Sequence, residues 1–160
     1  MAYPAYLVFP RHLDAGLVLD QVVDPEATDH PDGTAVCLYD DAGSLVAGMA
    51  VDRAGDFCGS KPCWAVWKPT GFQYKDCDEA PDGVSRIKLG GGLPGKTQLF
   101  VKASNGAGTL PVPIAASLPG ATSATVQLIG YDPVHTPLCF EATLDDIKKQ
   151  DATQFKAVGS

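Results

Sequence analysis

Basic residues are scarce in this chain: 12 Lys and Arg stand against 19 Asp and Glu, a formal net charge of −7. Along the sequence no basic cluster is longer than the pair Lys148-Lys149. Neutralising phosphates takes a basic stripe, so the linear sequence argues against nucleic acid as a partner and, on the same ground, against an anionic lipid surface. Long apolar runs are missing too. None approaches the ~20 residues of a membrane-spanning helix, so no membrane insertion is expected. The segment Met1 to Pro10 lacks the basic start and small-residue cleavage pattern of a secretory signal, which leaves a cytosolic protein or a chain read from its mature end. Histidine is rare: His12, His30 and His135 lie far apart in loop-like sequence. Neither G-x-S-x-G nor H-E-x-x-H occurs, so nucleophilic and zinc-dependent hydrolysis lack their usual residue patterns.

Helical periodicity is the remaining absence. The 17 Gly and 13 Pro suit many short strands joined by turns and are too many for a helical protein. Thr34 to Tyr39 and Ser44 to Val51 flank an Asp/Gly turn and predict a hairpin. Ala124 to Ile129, Leu138 to Leu144 and Gln154 to Val158 read as strands, as do Tyr6 to Pro10 and Leu17 to Val23. Leu110 to Pro119 holds three prolines and reads as an extended edge or a crossover between sheets. Asp145 to Ala152 is polar enough for one helical turn. About ten to twelve short strands predict an all-β fold, a β-sandwich or jelly-roll-like domain. At 160 residues this is one domain, with 52–62 as a place where it could subdivide.

Information is densest from Cys63 to Leu89. Cys63 to Lys68 is apolar on both faces and reads as a central strand. In Gly71 to Lys75, Phe72 and Tyr74 share one face, with Gln73 and Lys75 on the other. An acidic turn ending in Pro81-Asp82-Gly83 follows. Strand character resumes over Val84 to Leu89, with Val84, Arg86 and Lys88 opposite Ser85, Ile87 and Leu89. The run W-K-x-T-G-F-x-Y-K-D-x-D-x-x-P-D-G-V, then I-K-L, L-P-V-P, T-V-Q-L, C-F-E-A-T and D-A-T-Q-F-K-A, resembles a β-rich module that recurs in predicted secreted bacterial proteins. The likeness covers about Cys63 to Val158 and implies β architecture and an extracellular or cell-surface location, with no assigned activity. This chain departs from it at Cys77, which stands where the acidic turn of that module usually has Lys.

Export gives the five cysteines a reading: two disulfides and one leftover thiol. Cys63 and Cys139 each begin a Cys-aromatic strand and are the expected bridge between sheets. The alternative is that all five are reduced core residues.

Four carboxylates, Asp76, Asp78, Glu79 and Asp82, fall within seven residues. Calcium takes six to eight hard oxygens, and alternating acids on a loop can supply several of them. The glycine falls late and the distal glutamate of an EF-hand is absent, so an ordinary turn with Asp caps and no cofactor is expected ahead of calcium, the one cofactor the residues suggest. Gly90, Gly95, Lys96 and Thr97 match a phosphate-loop pattern. That loop needs a helix at its lysine, whereas Thr97 to Val101 reads as strand. Trp67, Phe72 and Tyr74 could stack on a sugar, Trp67 being the one expected outside the core, while Trp64 is expected inside it.

The expected function is therefore an extracellular, non-enzymatic structural or adhesive module that partners other protein subunits, including copies of itself, or a surface glycan. A carbohydrate-binding module using the exposed aromatics is the alternative, and a hydrolase with a carboxylate pair comes third. Tyr6 to Pro10 is expected at a sheet edge, open to backbone pairing with a neighbouring subunit.

Overall fold

A computed structural model describes residues 4–8, 33–51, 53, 55–69, 71–80, 82–91, 98–131 and 138–159. The described residues form thirteen strands and one short helix: β1 (Pro4–Val8), β2 (Gly33–Tyr39), β3 (Leu45–Ala50), β4 (Phe57–Cys58), β5 (Lys61–Pro62), β6 (Trp64–Val66), β7 (Gly71–Lys75), β8 (Val84–Gly90), β9 (Gln98–Ser104), α1 (Ile114–Ser117), β10 (Ala124–Tyr131), β11 (Leu138–Leu144), β12 (Asp146–Gln150) and β13 (Phe155–Val158). The chain is all-β. A seven-stranded sheet runs β12-β13-β1-β9-β8-β7-β6, a four-stranded sheet runs β11-β10-β2-β3, and β4 with β5 makes a small ribbon. Pairing is antiparallel except between β1 and β13.

Period-two alternation sends one side of each large sheet inward. Val36, Leu38, Met49, Val126 and Leu128 of the four-stranded sheet share one hydrophobic cluster with Tyr74, Ile87, Val101 and Phe155 of the seven-stranded sheet. Two sheets sharing a core in this way make a sandwich. Each fully buried side chain of this size contributes about 1.5–3 kcal/mol. The cluster holds residues from both sides of 52–62, so that stretch does not divide the core. The expected hairpin is present as β2 and β3. The proline-rich stretch crosses from β9 in one sheet to β10 in the other, and α1 adds Ile114 to the core on the way, with Leu118 just beyond it.

Four expectations need correction. Among the described residues β6 lies at the margin of its sheet and is not central; Trp64 is buried, but Val66 is 59% exposed. β1 is not an edge strand: β13 and β9 occupy both its sides, so its backbone is already paired. Residues 146–150 form strand β12 where one helical turn was expected, since pairing with β13 outweighs local polarity. In β8 the register shifts between Val84 and Arg86. The bulge adds a residue, so Val84 turns inward with Ile87 and Leu89 although simple alternation places it opposite them. Leu17 to Val23, the three histidines and Lys96-Thr97 lie outside the described residues.

Candidate functional site

The acidic turn between β7 and β8 is built from the inward parity of β7. Tyr74 points into the core, where its ring meets Trp64 with centroids 5.1 Å apart. Asp76, two residues on, follows it inward and is 2% exposed. A buried carboxylate needs partners, and this one has four. Its Oδ2 accepts from Arg53 Nη1 at 2.9 Å, the Tyr74 hydroxyl at 3.1 Å and the Ala80 amide at 3.2 Å, and its Oδ1 accepts from the Asp78 amide at 2.8 Å. Burial alone would raise the Asp76 carboxyl, but the Asp78 amide, the Arg53 guanidinium and the Tyr74 hydroxyl together hold it below its ordinary value. Burial, and next the Asp76 charge, pushes the Tyr74 phenol well up. The carboxylate stays ionised and the phenol protonated at neutral pH. This pair holds structure and is poorly matched to proton transfer.

The rest of the turn is fastened to β9, to the loop after it and to β3 of the other sheet. Glu79 adopts φ 56°; its carboxylate accepts from the Ser104 hydroxyl and the Ala107 amide, while its carbonyl accepts from Thr109 Oγ1 at 2.6 Å and the Gly83 amide at 2.9 Å. Asp82 reaches the opposite sheet, where its Oδ2 accepts from the Ala50 amide on β3 at 2.7 Å. Gly83 sits at φ 76°, and a Cβ there would lie 2.7 Å from both Leu110 Cγ and the Ser104 carbonyl. Of the four expected calcium ligands, then, Asp76, Glu79 and Asp82 accept protein donors on three different elements, and Asp78 is exposed. Among the described residues no three His, Cys, Asp or Glu side chains are grouped to hold a metal ion.

The expected Cys63 to Cys139 bridge is replaced by Cys58–Cys63, with Cα atoms 4.8 Å apart. Pairing of Phe57 with Pro62 and Cys58 with Lys61 brings the two together across the β4-β5 ribbon. Cys139 belongs to the other sheet, opposite Ile129. Cys37 and Cys77 are free thiols, and Cys77 is exposed.

The three expected stacking residues separate. Phe72 and Tyr74 lie on the core side of β7, Phe72 half-buried and Tyr74 fully enclosed, so Tyr74 has no face to offer a ligand. Trp67 lies on the outer side. Its amide donates to the Gly71 carbonyl at 2.7 Å, and the close approach admits no side chain at Gly71, whose Cβ would collide with the Leu89 and Trp67 carbonyls. The indole rests over Gly90, with the Lys68 ammonium 4.4 Å and the Lys88 ammonium 4.7 Å from its ring centroid. Burial, then Arg86 and Lys68, lowers the Lys88 pKa.

Register assembles on this outer side a feature that sequence reading missed. Lys75 pairs with Arg86, Arg86 with Lys102, Lys102 with Tyr6, Tyr6 with Lys156 and Lys156 with Lys149. The signal in the sequence was a cation at the outward position of strand after strand, but the five come from five separate segments. In comparisons with protein-family models, curated proteins and solved structures, nothing matches this chain.

Proposed function

We propose that this chain is an extracellular, non-enzymatic β-sandwich module with an adhesive or structural role, whose working surface is the outer face of the seven-stranded sheet around Trp67. The observation that carries the reading is the contrast in how polar groups are used. The densest cluster of ionisable residues is consumed in joining β3, β9 and the turn before β8, while the outer sheet face turns Trp67 and several cations toward solvent. The Cys58–Cys63 disulfide suits an oxidising compartment. Trp67 also keeps the carbohydrate-binding alternative in view, because an indole on a sheet face is a stacking platform. A polymer and glycan binding panel run beside a broad hydrolase substrate panel tests the reading. Retention on an immobilised polymer or glycan without turnover is the expected result. Turnover of a substrate by homogeneous protein would overturn it.

A further inference from the structure

We infer that the outer face of the seven-stranded sheet binds an anionic polysaccharide, a glycan chain bearing carboxylate or sulfate groups, laid across the strands along the row Lys75, Arg86, Lys102, Lys156 and Lys149 with Trp67 at its flank. The inference rests on the adhesive reading above and names the partner class.

Strands pair about 4.8 Å apart, so the row crosses six strands over about 24 Å, the reach of an extended polymer segment and far more than one small anion needs. Tyr6 occupies the register position between Lys102 and Lys156. With Lys68 and Lys88 at Trp67, this face gathers seven of the chain's 12 basic residues in a protein of net charge −7. Such segregation works against the overall charge. The four-stranded sheet differs, for its outward positions Tyr39, Thr125, Gln127, Glu141 and Thr143 carry no cation.

Five of the seven cations are also under-paired. Lys149 meets Asp151 at 3.3 Å, and Asp146, in the neighbouring outward row, meets Lys148. Among the described residues no carboxylate lies within ion-pair distance of Lys68, Lys75, Arg86, Lys88 or Lys156, and Arg86 Nε is buried without a hydrogen-bond partner. Mutual repulsion within the group is relieved by a polyanion. A ladder of charge beside an indole suits a sugar polymer, which offers acidic groups at intervals and a ring face to stack on.

The test measures binding of polygalacturonate (carboxylated), dextran sulfate (sulfated), neutral dextran and a single-stranded oligonucleotide to the full chain and to three variants. K75Q/K156Q changes two exposed residues, R86Q removes the central cation, and K61Q makes the same single charge change as R86Q on β5, outside this sheet. Expected are binding of one or both acidic glycans but not dextran, weakening with salt, at least a tenfold loss in K75Q/K156Q and in R86Q, and less than a twofold change in K61Q. Should R86Q fail to fold, K75Q/K156Q decides alone. Equal losses in K61Q, tighter binding of the oligonucleotide than of either acidic glycan, or no binding of any acidic glycan would overturn the inference. So would face variants that bind like the parent, an outcome that leaves an adhesive role standing and removes only its placement on this row.

Discussion

The turn at residues 76–83 and the outer face of the seven-stranded sheet are both dense in charge, and they use it oppositely. In the turn, carboxylates are adjacent in sequence and each accepting oxygen faces an amide, a hydroxyl or a guanidinium. On the face, cations are dispersed in sequence and brought into line by register, and Lys68, Lys75, Arg86, Lys88 and Lys156 have no carboxylate within ion-pair distance among the described residues. Charge that is satisfied within the protein stabilises the fold; charge left facing solvent adds little stability and is available to a partner.

That contrast can be broken most sharply at Asp76. Removing one partner of a buried ion pair strands the other, so D76A is expected to lose about 3 kcal/mol or more in urea unfolding. Its pH dependence has a definite sign. The folded-state pKa of Asp76 is lowered, so its stabilisation is complete above the unfolded value near 3.9 and is lost as pH falls through the lower folded value. D76N should flatten that acid limb of the stability curve, and an unchanged limb would place the effect elsewhere.

Next in size come the staples around the turn. Gly83→Ala forces a Cβ against Leu110 and the Ser104 carbonyl at positive φ, with an expected cost of about 2 kcal/mol in the same assay. C58S/C63S opens a short loop and should cost roughly 2 kcal/mol, seen as a lower melting temperature under non-reducing conditions.

On the outer face the expected stability effects are smallest. K75Q/K156Q should stay within about 0.5 kcal/mol of the parent. Lys88 has a lowered folded-state pKa, so the folded state loses its proton first and the parent gains stability as pH rises from that value towards the unfolded one. K88Q should remove this alkaline rise, which thermal melts across alkaline pH would detect.

Much of the fold was legible because alternation is local. The β2-β3 hairpin follows from its Asp/Gly turn and the aromatic inner side of β7 from residues two apart. What failed needed neighbours. The apolar sequence of β6 could not reveal that it ends its sheet among the described residues, and β1 looked like an edge because nothing local shows that β13 returns to lie parallel to it. The Val84 bulge inverted a parity that counting assigned correctly for Ile87 and Leu89. For the site the same limit applied in reverse. That adjacent acids form one cluster was legible, but not that Asp82 reaches a strand of the other sheet 32 residues away in sequence. Lys75, Arg86, Lys102, Lys149 and Lys156 become neighbours only once six strands are in register.

The most direct measurement is a residue-by-residue map of backbone amide and indole chemical shifts during titration with polygalacturonate or dextran sulfate. The expected shifts fall on Lys75, Arg86, Lys88, Lys156 and the Trp67 indole, with residues 78–83 unmoved. Shifts confined to residues 76–83, or appearing only when calcium is added, would contradict the division between a turn that holds the sheets and a face that binds.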